Sequence, residues 1–196
     1  MTSDPACIGV HLASGRKPLS LALLGDGLNL MQLASGELNH LSAFLSDLKS
    51  ATVCITTRSR PDNLKFADVY SLLHKQLAKM SFRPYSAKND ARQWFRTDAD
   101  ASFSALLQHK LFPRRTLEGR IQRALILYDQ GLQIHDPMEF FEEITRYKLM
   151  QGVLPLDHVY SQKELDALVA AYVAWMAAHR PQQVVVRGEF VLPAPE

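Results

Sequence analysis

The sequence lacks the features that define several specialised protein classes. It has only two cysteines among 196 residues, which excludes a fold held together by disulfides. No apolar run approaches the roughly 20 residues that a membrane-spanning helix needs. The N-terminus has no basic stretch followed by an apolar stretch, so no signal peptide is visible. These absences predict a soluble, cytoplasmic protein without a membrane-spanning segment.

The sequence also lacks an overall excess of charge of one sign, since its net charge is +2. Residues 58–123, however, contain 14 basic and 6 acidic side chains, a net charge of +8, while the rest of the chain carries −6. A basic middle is typical of a surface that meets a polyanion, although a solvated helical face would have the same composition. Hydrophobic residues make up 47% of the chain, which excludes a disordered protein and favours a single domain over residues 1–196.

The pattern of the first 57 residues indicates a sheet. Three short apolar runs separated by turn signals predict an antiparallel meander over residues 7–33. A helix with leucines on one face is predicted next, over residues 35–48. The β-branched stretch 51–57 then predicts a buried strand. This order of elements predicts an α/β domain with a mixed sheet.

The pattern in the middle of the chain predicts helices, and the pattern in the last third predicts both strands and helices. Residues 58–130 are interpreted as a basic helical insertion, with a helix over 116–128. A short strand is expected at 131–135, followed by a helix that starts at Asp136-Pro137. Ser161 and Glu164 form a capping box, which predicts a helix that runs to about His179. A terminal strand or hairpin is predicted over 183–191.

Asp166 is the most informative single residue. It falls in the second turn of the last predicted helix, and its neighbours on the same face are Val169, Ala170 and Val173. A carboxylate on an apolar stripe must be paired, bound to metal or protonated, because a bare buried charge costs too much free energy. The alternative is an aspartate that only favours the positive end of the helix dipole.

Two segments carry a resemblance to a known family. Residues 8–14 resemble the opening strand of a ribonuclease H-like domain, and residues 165–174 resemble its closing helix. Together they are similar to a bacterial and archaeal family of unknown function whose members are predicted to be nucleases of ribonuclease H fold. The resemblance implies a five-stranded mixed sheet with helices on both faces. It also implies three or four carboxylates on the first and fourth strands and the last helix, which hold two divalent metals, Mg²⁺ or Mn²⁺.

The sequence departs from that pattern at most of the implied ligands. His11 stands at the aspartate position of the first strand, and threonines stand at 56–57 on the fourth. Ile134 falls nearest to a further glutamate position, so only Asp166 matches. One carboxylate cannot hold a two-metal cluster. We therefore expect a divergent, catalytically impaired protein in which Asp166 and His11 mark the remnant catalytic site.

Several interpretations of these polar residues stay open. His11, His135, Asp136 and Asp166 could bind a single transition metal and form an active phosphodiesterase. Alternatively, His11 is a structural histidine that pairs with Asp166. Asp26 and Glu37 are further candidate ligands, although the first suits a Gly-Asp-Gly turn. A threonine nucleophile at 56–57 would need an adjacent base, and the sequence marks none. The two cysteines are expected to be buried thiols.

The basic residues suggest what the protein binds. Arginines contact phosphates, and interleaved aromatic residues stack on bases, which suits single-stranded nucleic acid. The candidate nucleic-acid-binding residues are Arg58, Arg60, Arg114, Arg115, Arg120 and Arg123. The hypotheses are therefore an impaired nuclease-family protein that binds nucleic acid or a protein partner, an active enzyme with an altered His/Asp site, and an interaction module without nucleic acid.

Overall fold

A computed structural model describes residues 5–13, 18–56, 64–86 and 91–194. These residues contain eight strands and seven α-helices. The strands are Ala6–Leu12 (β1), Leu19–Leu24 (β2), Leu30–Gly36 (β3), Ala51–Thr56 (β4), Arg83–Pro84 (β5), Arg92–Thr97 (β6), Val184–Arg187 (β7) and Phe190–Pro193 (β8). The helices are Leu38–Ser46 (α1), Leu64–Lys79 (α2), Ala99–Leu107 (α3), Leu117–Asp129 (α4), Glu139–Glu143 (α5), Arg146–Met150 (α6) and Gln162–His179 (α7).

The strands form one mixed sheet in the order β3-β2-β1-β4-β6-β8-β7, and the short β5 pairs with β6. The first three strands are an antiparallel meander, as predicted. Strands β4, β6 and β8 continue the sheet with parallel pairing, and β7 and β8 form the predicted terminal hairpin. The α/β class and the mixed sheet are confirmed. The expected number of five strands is wrong, because the sheet has eight strands, which include β5 and β6 from the middle segment that was expected to be helical.

Helices cover both faces of the sheet. Helices α1 and α2 pack on one face, where Leu41, Leu45 and Leu73 meet the inward side chains of β1 and β4. Helix α7 packs on the other face, and α3 and α4 cover α7 from outside. Since alternate residues of a strand point to opposite faces, Ile8 and Val10 face α1 and α2, whereas Gly9 and His11 face α7.

Helix α7 is buried all round, which explains its nearly uninterrupted apolar sequence. Every residue from 165 to 177 is buried, between the sheet on one side and α3 and α4 on the other. The helix starts at the predicted capping box, in which Ser161 accepts a hydrogen bond from the Glu164 backbone N–H and the Glu164 carboxylate accepts one from the Ser161 N–H. A helix so enclosed has no solvated face for a charged side chain.

The middle of the chain contributes to the sheet as well as to helices. Residues 92–97 were expected to be helical, but they form β6 and pair along their length with β4. The helix predicted over 116–128 is confirmed as α4, capped by the Thr116 hydroxyl. In place of the strand expected at 131–135, the structure has one isolated β-bridge between Gln133 and Asn29. The helix that was expected from Asp136 is divided into the short α5 and α6.

Two further observations concern the cysteines and the apolar character of the helices. Both cysteines are buried, on adjacent strands, and burial raises the pKa of the Cys54 thiol well above its usual value. Over the described parts of the chain, no helix combines the length and the apolar character needed to cross a membrane.

The contact between β1 and α7 depends on a glycine. A Cβ on Gly9 would lie 1.9 Å from the Ala167 carbonyl oxygen and 2.2 Å from the Ala171 nitrogen. These are backbone atoms, so α7 would have to move. We therefore expect Gly9→Ala to lower the free energy of unfolding by about 1–3 kcal/mol or more, measured by urea denaturation.

Gly27→Ala is the matched control, because a Cβ there would meet no atom within 4 Å. Its stability should stay within about 0.5 kcal/mol of the unmodified protein. Equal stabilities of the two variants would contradict the close packing of α7 on β1.

Candidate functional site

The candidate site lies where two parallel strands end beneath α7. His11 near the end of β1 and Thr56 at the end of β4 are register partners. Asp166 in the second turn of α7 faces them across the interface. All three are buried, with exposures of 5%, 2% and 3%. Because alternate residues of β1 point to opposite faces of the sheet, the side chain of His11 lies on the face that α7 covers.

A hydrogen-bond network fixes the orientation of the His11 ring. The Thr56 hydroxyl donates to the Val10 carbonyl at 3.2 Å, which uses its only hydrogen. His11 Nδ1 lies 3.0 Å from that hydroxyl oxygen and 3.2 Å from Asp166 Oδ2. Since both oxygens can then only accept, the network assigns a hydrogen to Nδ1 of His11. The structure thus brings His11 and Asp166 together as a hydrogen-bonded pair.

An arginine provides the second partner of Asp166. Arg114 Nη2 lies 2.5 Å from Asp166 Oδ2, the same oxygen that His11 contacts. Arg114 belongs to the loop between α3 and α4, and its carbonyl accepts a hydrogen bond from Gln162 at the start of α7. A guanidinium stays charged at all physiological pH values and donates in a fixed fork. The buried carboxylate is therefore compensated by a permanent cation from the protein itself.

The ion pair extends outward through α3 and α4. Arg114 Nη1 lies 3.5 Å from Asp100, and Arg123 Nη2 lies 3.0 Å from the same carboxylate. Arg123 is buried and also donates to the carbonyls of Gly119 and Phe112. Two aspartates and two arginines thus form a charge-balanced network that leads from the buried His11 to the half-exposed Asp100.

One alternative left open by the sequence was a single metal bound by His11, His135, Asp136 and Asp166. The structure does not gather His11, His135, Asp136 and Asp166 into one ligand set. Asp136 instead accepts a hydrogen bond from the Met138 backbone N–H and caps a turn. Of the two further candidates, Asp26 lies in a turn and Glu37 precedes α1, and both are exposed.

A different group of side chains could hold a metal. Ligand atoms of His135, Glu139 and His158 lie within 4.8 Å of one another. Among the residues that the structure describes, these three form the only group of this kind. Of these three residues, only His135 was among the candidate metal ligands predicted from the sequence. The four-residue spacing of His135 and Glu139 was a signal, but nothing in the sequence links them to His158.

The candidate nucleic-acid-binding arginines are mostly used inside the protein. Arg114 and Arg123 belong to the charge network described above. Arg120 donates from Nε and Nη2 to the carbonyls of Tyr160 and Val159. Arg115 is exposed. Of the described members of the set, only Arg115 is classed as exposed, and Arg58 and Arg60 lie outside the described residues.

The network predicts the effect of removing the buried charge. Asp166→Asn keeps the shape of the side chain but removes the buried carboxylate that Arg114 contacts, which leaves the guanidinium only the more distant Asp100. Breaking a buried pair costs about 3–5 kcal/mol, and partial exposure of the Arg114 side chain (22%) reduces this. We expect the free energy of unfolding to fall by about 2 kcal/mol in urea, equally with Mg²⁺ or with a chelator.

Arg115→Gln serves as the control, since it removes a neighbouring but exposed arginine. Its stability should change by less than about 0.5 kcal/mol. If Mg²⁺ stabilised the unmodified protein and not Asp166→Asn, the carboxylate would be a metal ligand and the ion-pair interpretation would be wrong.

Comparison with known proteins does not assign the chain to a family. No family model matches it, and no curated protein matches it significantly. What this site does must therefore be inferred from its residues and their geometry.

Proposed function

We propose that the chain is a non-catalytic, ribonuclease H-like domain that acts by binding a protein partner. The non-catalytic assignment rests on the contact between Arg114 and Asp166. The binding of a protein partner rests on the exposed large apolar side chains that lie between residues 138 and 156. The two halves of the proposal use different parts of the chain and are tested separately.

The arrangement of elements supports the ribonuclease H-like assignment. That fold needs the ends of its first and fourth strands to meet beneath its last helix. Here β1 and β4 are parallel neighbours, and α7 packs across both. If the assignment is right, residues 11, 56 and 166 would correspond to the positions from which carboxylates hold metals in an active relative.

The chemistry at those positions opposes metal-dependent cleavage. A two-metal site needs several carboxylates, because Mg²⁺ takes hard oxygen ligands and phosphodiester cleavage develops charge on two oxygens. Only Asp166 is acidic, and one of its oxygens is already bound by Arg114 and His11. An arginine cannot lower the pKa of a bound water as a metal does. The site therefore holds a cation that, unlike a metal ion, does not act as a Lewis acid.

An unusual surface lies beyond the site, in the segment that contains α5 and α6. Seven of the twelve large apolar side chains that are exposed in the described chain fall between residues 138 and 156. They are Met138, Phe141, Leu149, Met150, Val153, Leu154 and Leu156. Because these side chains fall within one short segment, we infer that they form a common apolar patch, and such patches mark interaction sites whereas scattered apolar residues do not. We call this cluster the apolar surface.

The charge around the apolar surface indicates the kind of partner. Residues 136–157 contain five acidic and two basic side chains, a net charge of −3. An acidic surround repels a nucleic acid backbone and favours a partner segment with basic residues beside its apolar side chains. We therefore infer that the partner presents an amphipathic, basic protein segment. The internal use of Arg114, Arg120 and Arg123 further disfavours a nucleic acid.

The first test concerns catalysis. The purified protein should cleave neither single-stranded nor duplex DNA or RNA with Mg²⁺ or Mn²⁺, because it lacks the carboxylates that would hold two metals. Cleavage followed on labelled oligonucleotides checks this. Metal-dependent cleavage that is lost in Asp166→Asn would overturn the non-catalytic assignment.

The second test concerns the apolar surface. A synthetic amphipathic peptide of leucines and lysines should bind, and the double variant Met150→Ser/Leu154→Ser should weaken its binding at least tenfold in fluorescence anisotropy, the equivalent of about 1.4 kcal/mol. Met31→Ser/Leu72→Ser, which removes exposed apolar side chains elsewhere, should have no effect.

A single-stranded oligonucleotide provides the opposing arm of this test. Tight binding of the oligonucleotide that falls steeply with salt, without binding of the peptide, would favour a nucleic acid partner instead. Self-association of the protein that is lost in Met150→Ser/Leu154→Ser would identify a second copy as the occupant.

A further inference from the structure

The group of His135, Glu139 and His158 has a composition that selects a particular kind of metal. Two imidazoles and one carboxylate suit Zn²⁺, which takes nitrogen and oxygen ligands together in a tetrahedral site. Mg²⁺ prefers oxygen ligands throughout, so this set discriminates against it. Three protein ligands would leave the fourth position of a tetrahedral ion for water.

The distances within the group are compatible with one shared ion. His135 Nδ1 lies 2.8 Å from Glu139 Oε2, and all three ligand atoms lie within 4.8 Å of one another. Ligand atoms about 2.0–2.2 Å from a tetrahedral Zn²⁺ are about 3.4 Å apart. The side chains of His135 and Glu139 are 60% and 44% exposed, so rotations of these two side chains can bring the three atoms to that spacing.

The backbone that carries the three ligands is held in place from several sides. Tyr160 binds the His135 backbone N–H through its hydroxyl, at 3.2 Å. Arg120 in α4 donates to the carbonyls of Val159 and Tyr160, directly after His158. Preorganised backbone of this kind reduces the conformational entropy that a metal would have to remove on binding.

Apolar packing also holds the backbone around the three ligands in place. Phe140, next to Glu139, is buried with Val159 and Ile121 in a small separate core. This core joins α5 to the 3₁₀ helix Leu156–His158 and to α4. The ligands on the two sides of the site therefore come from segments that are already packed together.

The geometry points to a Zn²⁺ site formed by His135, Glu139 and His158 on the surface of this protein. It lies in the segment that contains α5 and the turn at 156–158, and it does not use Asp166 or His11. The site would clamp the two ends of the segment that carries the apolar surface. Its existence does not depend on the proposed function.

Calorimetric titration tests the site directly. Protein freed of metal with a chelator should bind one equivalent of Zn²⁺ at neutral pH and should not bind Mg²⁺. His135→Ala, Glu139→Gln and His158→Ala should each weaken Zn²⁺ binding by at least about tenfold, since even the partners of metal ligands change affinity by 10–100-fold. Zn²⁺ should also raise the melting temperature of the unmodified protein and not of these variants.

Two controls make the result specific. His109→Ala removes another exposed histidine and should leave Zn²⁺ affinity unchanged. Asp166→Asn should also leave it unchanged, which separates this site from the remnant site under α7. Circular dichroism of each variant shows that it is folded. Absence of Zn²⁺ binding, or binding that His135→Ala and His158→Ala leave unaltered, would overturn the proposal.

Discussion

The buried carboxylate of Asp166 imposes the constraint on which the surrounding structure depends. Helix α7 is enclosed between the sheet and α3 and α4, so this charge has no direct access to solvent. It needs a cation, and Arg114 supplies one from the loop before α4. That requirement ties the loop to the start of α7, and Asp100 and Arg123 then tie α3 and α4 to the same network. The network thus links one carboxylate of α7 to the loop before α4 and to both helices outside α7.

The identity of that cation decides what chemistry the site can perform. A metal ion and a guanidinium both neutralise a carboxylate, but only the metal can also bind and activate water. The guanidinium is covalently fixed, so it cannot be exchanged or lost. His11 adds a hydrogen-bond donor beside the same carboxylate, at a position that the proposed ribonuclease H-like assignment would equate with a further carboxylate. Under the proposed function, the charge at this site is therefore balanced by a group that does not activate water.

The sequence predicts the parts of this structure that depend on local pattern. Strands β1 to β4 and the capping box of α7 follow from apolar runs and cap residues, and the pairing of His11 with Asp166 was one expected alternative. Strand β6 was missed because it buries polar residues such as Gln93 and Thr97. The contact of Arg114 with Asp166 joins residues 52 positions apart through an irregular loop. No local spacing encodes such a contact.

The segment from residue 135 to 158 shows how two surface features become coupled. Helices α5 and α6 have five residues each, too few to be stable alone, and α5 is held by its contact with the 3₁₀ helix Leu156–His158. The buried side chain that anchors α5 is Phe140, while the adjacent Phe141 faces solvent as part of the apolar surface. A metal bound at His135 and His158 would stabilise the same backbone segment that must become ordered when a partner binds. Each ligand would then lower the entropy cost of binding the other, and by linkage the effect would be equal in both directions.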